Sequence, residues 1–260
     1  MAASSVRVQR DGRIAVVRLD AGDERNLMSR QVMADLTAAA RDFEDDATTS
    51  AIVLTGTSRV FTLGFDLSGA AAEVSLSEQR VLQALGPRMC RAWAELEPFT
   101  LCAVEGWCVG GGVALAVALD LRVAGQDARF YVPEIERGMN MSWQSVPRMV
   151  ALVGPARTKR LIILAQRVSA PTAHEWGLVD ELAGSGGAFD AAMQIAETVA
   201  ALPPVQVRMA KEGINAASAA LHHAVSALDR DQFLLAAQSH DFREGVASFL
   251  ERRPPHYTGG

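Results

Sequence analysis

Cysteine is scarce in this chain. Cys90, Cys102 and Cys108 are the only three in 260 residues, an odd number with no CxxC pair. That excludes a disulfide framework and matches free thiols in a reducing cytosol. A basic excess is also missing: 25 Lys and Arg stand against 30 Asp and Glu, a net charge of −5. Such a balance argues against a nucleic-acid surface, while leaving room for a local patch that holds a small anion. The opening MAASSVRVQR lacks the charged-then-apolar order of a secretory signal. No long apolar run is free of charge and glycine. The most apolar window, Leu101 to Leu119, contains Glu105 and four glycines, so it reads as buried strand plus helix, not as a membrane span. There is no repeat of fixed period, no low-complexity segment and no long run of one charge. The expectation is a cytoplasmic protein with neither a membrane nor a nucleic acid as partner.

What is present is an ordinary globular composition, 49% hydrophobic and 21% charged, in a chain long enough to bury a sizeable core. Ile14–Asp20 (IAVVRLD) and Ser50–Gly56 (SAIVLTG) have the β-branched runs of buried strands. Between them Ser29 is placed to cap a helix whose Val32, Met33, Leu36, Ala40 and Phe43 follow helical spacing. A helical stretch over about Leu76–Leu96 precedes another strand-like run, LCAVEG, and Leu121–Gly125 and Ala128–Ile135 follow in extended segments. From Pro155 onward the pattern is nearly all helical, with a break at Pro203–Pro204. The order predicts an α/β core over residues 1–200 and a helical region over 201–260.

Two glycine-containing stretches carry chemistry. In VEGWCVGGGVALAVALD (Val104–Asp120) a buried strand reaches the triplet Gly110–Gly112, and a purely apolar helical run leaves it. A triplet there leaves backbone N–H groups unshielded at a helix start, an arrangement that binds an anion or stabilises an oxyanion as it forms. Tight packing with no ligand is the plainer reading. The spacing is neither GxGxxG nor GxxxxGK, so nucleotide cradles fail. In the second stretch, Thr55–Leu67, a strand end opens into a loop where Gly64 permits unusual backbone angles and Asp66 is poised to hold a following turn. Two such loops could each give one N–H to a single pocket, which suits a carbonyl that becomes an enolate.

Beyond these, RNLMSRQVMADL (Arg25–Leu36), FTLGFDL (Phe61–Leu67), GWCVGGGVALAVALDLRVA (Gly106–Ala124) and ARFYVPEI (Ala128–Ile135) occur in that order. They are followed by LVGPARTKRLIILAQRVSAPTAHEWGLVDEL (Leu152–Leu182), PPVQVRMAKEGIN (Pro203–Asn215) and EGVASFLERR (Glu244–Arg253). The ordered set resembles the crotonase superfamily, the enoyl-CoA hydratase/isomerase family of coenzyme A thioester enzymes. The resemblance implies a spiral of β-β-α units, with C-terminal helices that close the site and build trimers, often paired into hexamers. It implies an acyl-CoA substrate and no cofactor beyond the coenzyme A that the substrate carries.

It also implies roles residue by residue. The thioester carbonyl would lie between the backbone N–H groups of Phe65 and Gly111, with Arg25 and Leu27 along the coenzyme A moiety. Leu63, Asp66, Gly110, Ser142 and Trp143 would contact substrate, and Glu134 would be the acid/base. Family hydratases place a second glutamate two residues after the triplet, where this chain has Ala114. Some relatives have an aspartate eight residues beyond the Glu134 position, where this chain has Ser142. One carboxylate can take a proton from one carbon and return it to another, so the expectation is an isomerase-type double-bond shift. Hydration, dehydration, hydrolysis and non-catalytic acyl-CoA binding stand as alternatives. Glu136 would share the face of Glu134 only if the segment stays extended. No metal ligation is expected of the neighbouring His222 and His223, and Arg59 and Lys211 read as ordinary surface charges.

Overall fold

The structure is a computed structural model and describes residues 5–69, 75–219 and 222–260. Its strands are β1 (Val6–Asp11), β2 (Ile14–Leu19), β3 (Ala51–Thr55), β4 (Val60–Thr62), β5 (Phe99–Val104), β6 (Trp107–Val109), β7 (Leu121–Gly125), β8 (Arg129–Tyr131), β9 (Val168–Ser169) and β10 (Glu181–Ala183). Between and after them run the helices α1 (Arg30–Arg41), α2 (Leu76–Leu82), α3 (Leu85–Ala94), α4 (Gly111–Ala116), α5 (Ser145–Ile162) and α6 (Ala170–Trp176). The C-terminal part adds α7 (Ala188–Ala200), α8 (Pro204–Ser218), α9 (His222–Ser226), α10 (Asp229–Ala236) and α11 (His240–Glu251).

The strands form two sheets. The larger has the order β1-β2-β3-β5-β7-β10, antiparallel only at the β1–β2 edge. The smaller has the order β4-β6-β8-β9, parallel except for β9. The unbroken apolar runs of β3 and β5 follow from burial on both faces, because helices cover a parallel sheet on each side. Ile52, Leu54, Cys102 and Val104 face the main core with α1 and α3, whereas Ala51, Val53, Leu101 and Ala103 meet Ala188, Ala192, Ala196 and Val199 of α7. Spacings of four, four and three residues put those α7 side chains on one helical stripe.

The predicted elements hold where the pattern is long. Ser29 caps α1, its hydroxyl accepting the Val32 N–H at 3.2 Å. The Leu76–Leu96 stretch is instead two helices, broken at Gln83–Ala84. The region after Pro155 is not all helix, since β9 and β10 extend both sheets with two and three residues. Such short strands carry too few residues to show a period. Residues 70–74 (AAAEV), near the start of the Ser68–Gly86 segment expected to close over an acyl pocket, lie outside the described residues.

Lys211 corrects another expectation. It is buried at 6% exposure; its Nζ pairs with Asp120 at 2.7 Å and donates to the Pro98 carbonyl at 2.7 Å. Thr100 donates to the same Asp120 carboxylate through its N–H and its hydroxyl. The pair thereby fastens α8 to the sheet at the start of β5 and β7. Because removing one partner strands a buried charge, Lys211→Met should destabilise by about 3 kcal/mol in urea unfolding. Breaking the exposed Arg91–Glu95 pair with Arg91→Ala should cost less than about 0.5 kcal/mol. Equal midpoints for the two variants would contradict this.

Candidate active site

Three neighbouring parallel strands of the smaller sheet end on the same side. β4 runs into Leu63–Gly64–Phe65, β6 into the triplet Gly110–Gly112, and β8 into Val132–Pro133–Glu134. Ligands of parallel sheets sit beyond the carboxyl ends of strands, since loops from adjacent strands converge there.

Backbone geometry at two glycines makes the convergence tight. Gly64 has φ +89°, and a Cβ there would lie 2.6 Å from the Val109 carbonyl oxygen and 3.5 Å from the Gly111 nitrogen. Gly110 has φ 54° and ψ −114°, a conformation open to glycine alone. A Cβ on Gly110 would lie 2.5 Å from Oε1 of Glu134. The Gly110 N–H donates to the Tyr131 carbonyl at 2.8 Å, tying the end of β6 to that of β8.

These constraints expose two backbone donors side by side. Met28 bridges to Phe65 in parallel fashion: its N–H donates to the Gly64 carbonyl at 2.9 Å, and the Asp66 N–H donates to its carbonyl at 3.2 Å. The intervening Phe65 N–H therefore points away from Met28, and the Gly111 N–H begins a helix that cannot bond it internally. Among the described residues neither N–H donates to any group.

They border a cavity of about 790 Å³ lined by Leu63, Gly64, Phe65, Val109, Gly110, Gly111, Glu134, Asn140, Ser142 and Trp143. Phe233, Leu234, Phe242, Val246 and Leu250 of α10 and α11 line its other side. Oε2 of Glu134 is buried without a hydrogen-bond partner. Burial pushes the Glu134 carboxyl up to about 7, against a smaller opposing pull from its own backbone N–H and from Arg137. Glu251 also lines the cavity, but it is exposed and paired with Arg253 at 2.6 Å.

Trp143 forms a wall of the same cavity. A Cβ at either Gly86 or Gly111 would run into its indole, and Phe65 meets it edge-on at 6.3 Å. Trp143 and Gln144 both have φ 60°, in the left-handed region that non-glycine residues rarely enter. The Gln144 N–H donates to the buried Asp229 carboxylate at 2.9 Å, so α10 holds this corner in place.

Of the residues singled out in the sequence, Glu134, Phe65, Gly111, Leu63, Gly110, Ser142 and Trp143 all line the cavity. Arg25, Leu27 and Asp66 are not among its lining. Arg25 is exposed, with Asp23 at 3.6 Å, and the cavity's arginines are Arg30, Arg137 and Arg243 instead. Asp66 holds the next turn, accepting the Ser68 N–H at 3.0 Å. Glu134 opens a 3-10 turn over Ile135–Arg137, so the segment is not extended there and Glu136 is turned out to solvent, bonded by the Tyr131 hydroxyl. Ala114 is fully buried in the main core. Asn140, whose buried Oδ1 lacks a donor, has no precedent in the sequence reading, because a lone Asn in a loop carries no spacing signal. Among the described residues no group of three or more His, Cys, Asp or Glu is placed to hold a metal ion.

Fold and site together define an α/β protein of crotonase type, with one buried carboxyl in a largely apolar cavity. The chain belongs to the enoyl-CoA hydratase/isomerase family, whose model matches residues 9–260. It is 28% identical to a probable enoyl-CoA hydratase of Mycobacterium bovis, covering 99% of both chains. It is 30% identical to the 1,2-epoxyphenylacetyl-CoA isomerase of Escherichia coli, covering 95% of each. The crystal structure of an enoyl-CoA hydratase/isomerase from Pseudoalteromonas atlantica T6c superposes with a TM-score of 0.89 at 25% identity, over 98% of this chain and 100% of that one.

The raised Glu134 pKa fixes a stability signature. Its folded value, about 7, exceeds the ordinary 4.5, so the folded state disfavours the ionised form. The stability that the neutral carboxyl allows is complete below about 4.5 and is lost as pH rises through about 7. Glu134→Gln should therefore stabilise the fold at pH 8, on the order of 2 kcal/mol, and leave it nearly unchanged at pH 4.5. Thermal melts at the two pH values check this, and a pH-independent difference would contradict it.

Proposed function

We propose that this acyl-CoA enzyme shifts the double bond of an enoyl-CoA thioester, with Glu134 as its single acid/base. The observation that carries the proposal is the unpartnered, buried Glu134 carboxyl with its pKa raised to about 7, in a chain whose Ala114 stands where the two-glutamate pattern has its second carboxylate. A group with that pKa is half ionised at neutral pH, so it can both take and return a proton.

In this scheme the thioester oxygen of a 3-enoyl-CoA accepts the Phe65 and Gly111 N–H groups. Glu134 removes a proton from the α-carbon, and the electron pair moves onto the thioester oxygen, forming a dienolate held by the two donors. The same carboxyl then gives the proton to the γ-carbon, leaving a 2-enoyl-CoA. Backbone donors pre-set by Gly64 and Gly110 need no reorganisation as charge develops. Hydration is the second reading, favoured by the hydratase name of the Mycobacterium bovis relative. The exposed Val205, Met209 and Ile214 of α8 support assembly into trimers or hexamers through the helical region that follows residue 200.

With a 3-enoyl-CoA in deuterated water, the enzyme should exchange α- and γ-protons and yield the 2-enoyl product. The exchange rate should rise with pH through about 7, as Glu134 loses its proton, and level off above. Glu134→Gln keeps the shape but not the basicity, so exchange should fall by about 10²–10⁴. Exchange unchanged in that variant would overturn Glu134 as the base.

A further inference from the structure

The charged groups lining the cavity lean to one sign. Arg30, Arg137 and Arg243 stand against Glu134 and Glu251, in a chain whose net charge is −5. Glu251 is exposed and paired with Arg253, and burial makes Glu134 resist ionisation. A cationic excess is left that the acid/base scheme does not use.

Arg30 and Arg243 are exposed, and Arg243 donates to the Gln238 carbonyl at 3.1 Å. Arg137 is half-buried. It closes the 3-10 turn that Glu134 opens, its backbone N–H donating to the Glu134 carbonyl at 3.0 Å. α11 clamps this turn from outside. A Cβ on Gly245 would lie 2.3 Å from the Arg137 carbonyl carbon, and one on Gly138, at φ 67°, would meet the backbone of Asp241 and Phe242. The guanidinium carbon lies 3.9 Å from the centre of the Phe249 ring, so one flat face rests on an aromatic and the N–H edge is left over. Among the described residues no carboxylate takes that edge. Glu244 and Glu251 are held by Arg253, Glu136 by the Tyr131 hydroxyl, and Asp241 by the Thr258 and Gly259 N–H groups. None of the Arg137 nitrogens is a sealed orphan, so a ligand can reach them.

We infer that the acyl group this cavity prefers carries a carboxylate of its own, held by Arg137. The preferred substrate is then the mono-coenzyme A thioester of a short unsaturated dicarboxylic acid. The inference rests on the acyl-CoA reading above and names the substrate class of the same site. An arginine presents parallel N–H groups that match the two oxygens of a carboxylate. A partly desolvated cation without a counter-ion is costly, and an anionic substrate supplies the counter-ion. A phosphate of coenzyme A does not fit the position. It is separated from the thioester by the whole pantetheine arm, whereas Arg137 is three residues from Glu134 and the two attract each other. The same nearness limits the chain length, because the carboxylate must lie only a few bonds beyond the carbons that Glu134 serves. Arg137 also offsets the repulsion that a second carboxylate would bring to Glu134 as it ionises. Arg137 exchanges no proton, so the double-bond shift is unchanged.

The test uses two matched pairs of equal carbon count. Binding of adipyl-CoA and hexanoyl-CoA is measured by calorimetry, and proton exchange of 3-hexenedioyl-CoA and 3-hexenoyl-CoA in deuterated water. Wild type should bind adipyl-CoA about 10- to 100-fold more tightly, the range for a hydrogen-bonded pair of charges. Arg137→Met should erase that preference while hexanoyl-CoA affinity stays within about threefold. In exchange, the same variant should raise KM for 3-hexenedioyl-CoA and leave 3-hexenoyl-CoA within about threefold. Arg137→Lys keeps the charge without the fork and should retain part of the preference, which also guards against Arg137→Met failing to fold. Arg243→Met should keep the preference whole. Equal wild-type affinity for the two saturated thioesters would overturn the inference. So would equal weakening of both thioesters in Arg137→Met: shared with free coenzyme A it marks a phosphate contact, and without it a merely structural wall. Loss of the preference in Arg243→Met but not in Arg137→Met would overturn the choice of residue. The saturated pair undergoes no reaction, so the two proposals fail separately. If Glu134→Gln spares exchange, the acid/base reading falls while the binding preference still stands or falls by itself.

Discussion

The close approach of the Glu134 carboxyl to the bare backbone of Gly110 is the contact on which the site depends. A methyl group on Gly110 would lie 2.5 Å from Oε1, so the carboxyl sits where only a glycine can face it. The approach has two effects. It shuts water away from the acid, which raises its pKa, and it sets the acid against the loop that carries the Gly111 N–H. The Gly110 N–H then locks the arrangement by binding Tyr131, three residues before Glu134. The acidity and the position of this carboxyl thus come from one steric fact.

The rest of the molecule holds that contact in register. The larger sheet contributes no lining residue. Its role is to anchor β5 and β7, whose continuations carry β6 and β8 into the smaller sheet. On the opposite side, α10 and α11 close the cavity, and Asp229 of α10 fixes the strained Trp143–Gln144 corner through one N–H. Left-handed backbone at two successive non-glycine residues is costly and persists only where surroundings over-determine it. Here those surroundings include a helix from the far end of the chain. The aromatic wall beside Gly111 is therefore coupled to how the C-terminal helices dock.

How much of this was legible in the sequence follows from which physics each feature uses. β2, β3, β7 and α1 were readable because burial imposes periods or unbroken apolar runs over five or more residues. β9 and β10 were not, since a strand of two or three residues is defined by its partner. Lys211 looked like a surface charge because nothing local to α8 shows that Asp120, 91 positions earlier, awaits it. Within the site, glycine spacing flagged both loops, and family resemblance supplied Glu134, Phe65 and Gly111. No local pattern marks Asn140, Phe242 or Val246, because what each faces depends on the return of α11 over the turn after Glu134.

The surroundings of Ala114 show what a carboxylate at that position would cost this particular chain. It is fully exposed to the core and not at all to solvent, inside a helix of six residues that are all buried. A glutamate there would have to bury a charge inside a helix packed wholly into the core, which is costly without a partner. Packing α4 with alanine avoids that cost. The loop of residues 138–144 adds no carboxyl either: the tight turn clamped by α11 brings Asn140 to the cavity without adding charge. A neutral amide adds no charge to the balance in which burial raises the Glu134 pKa against the smaller pulls of its own backbone N–H and of Arg137.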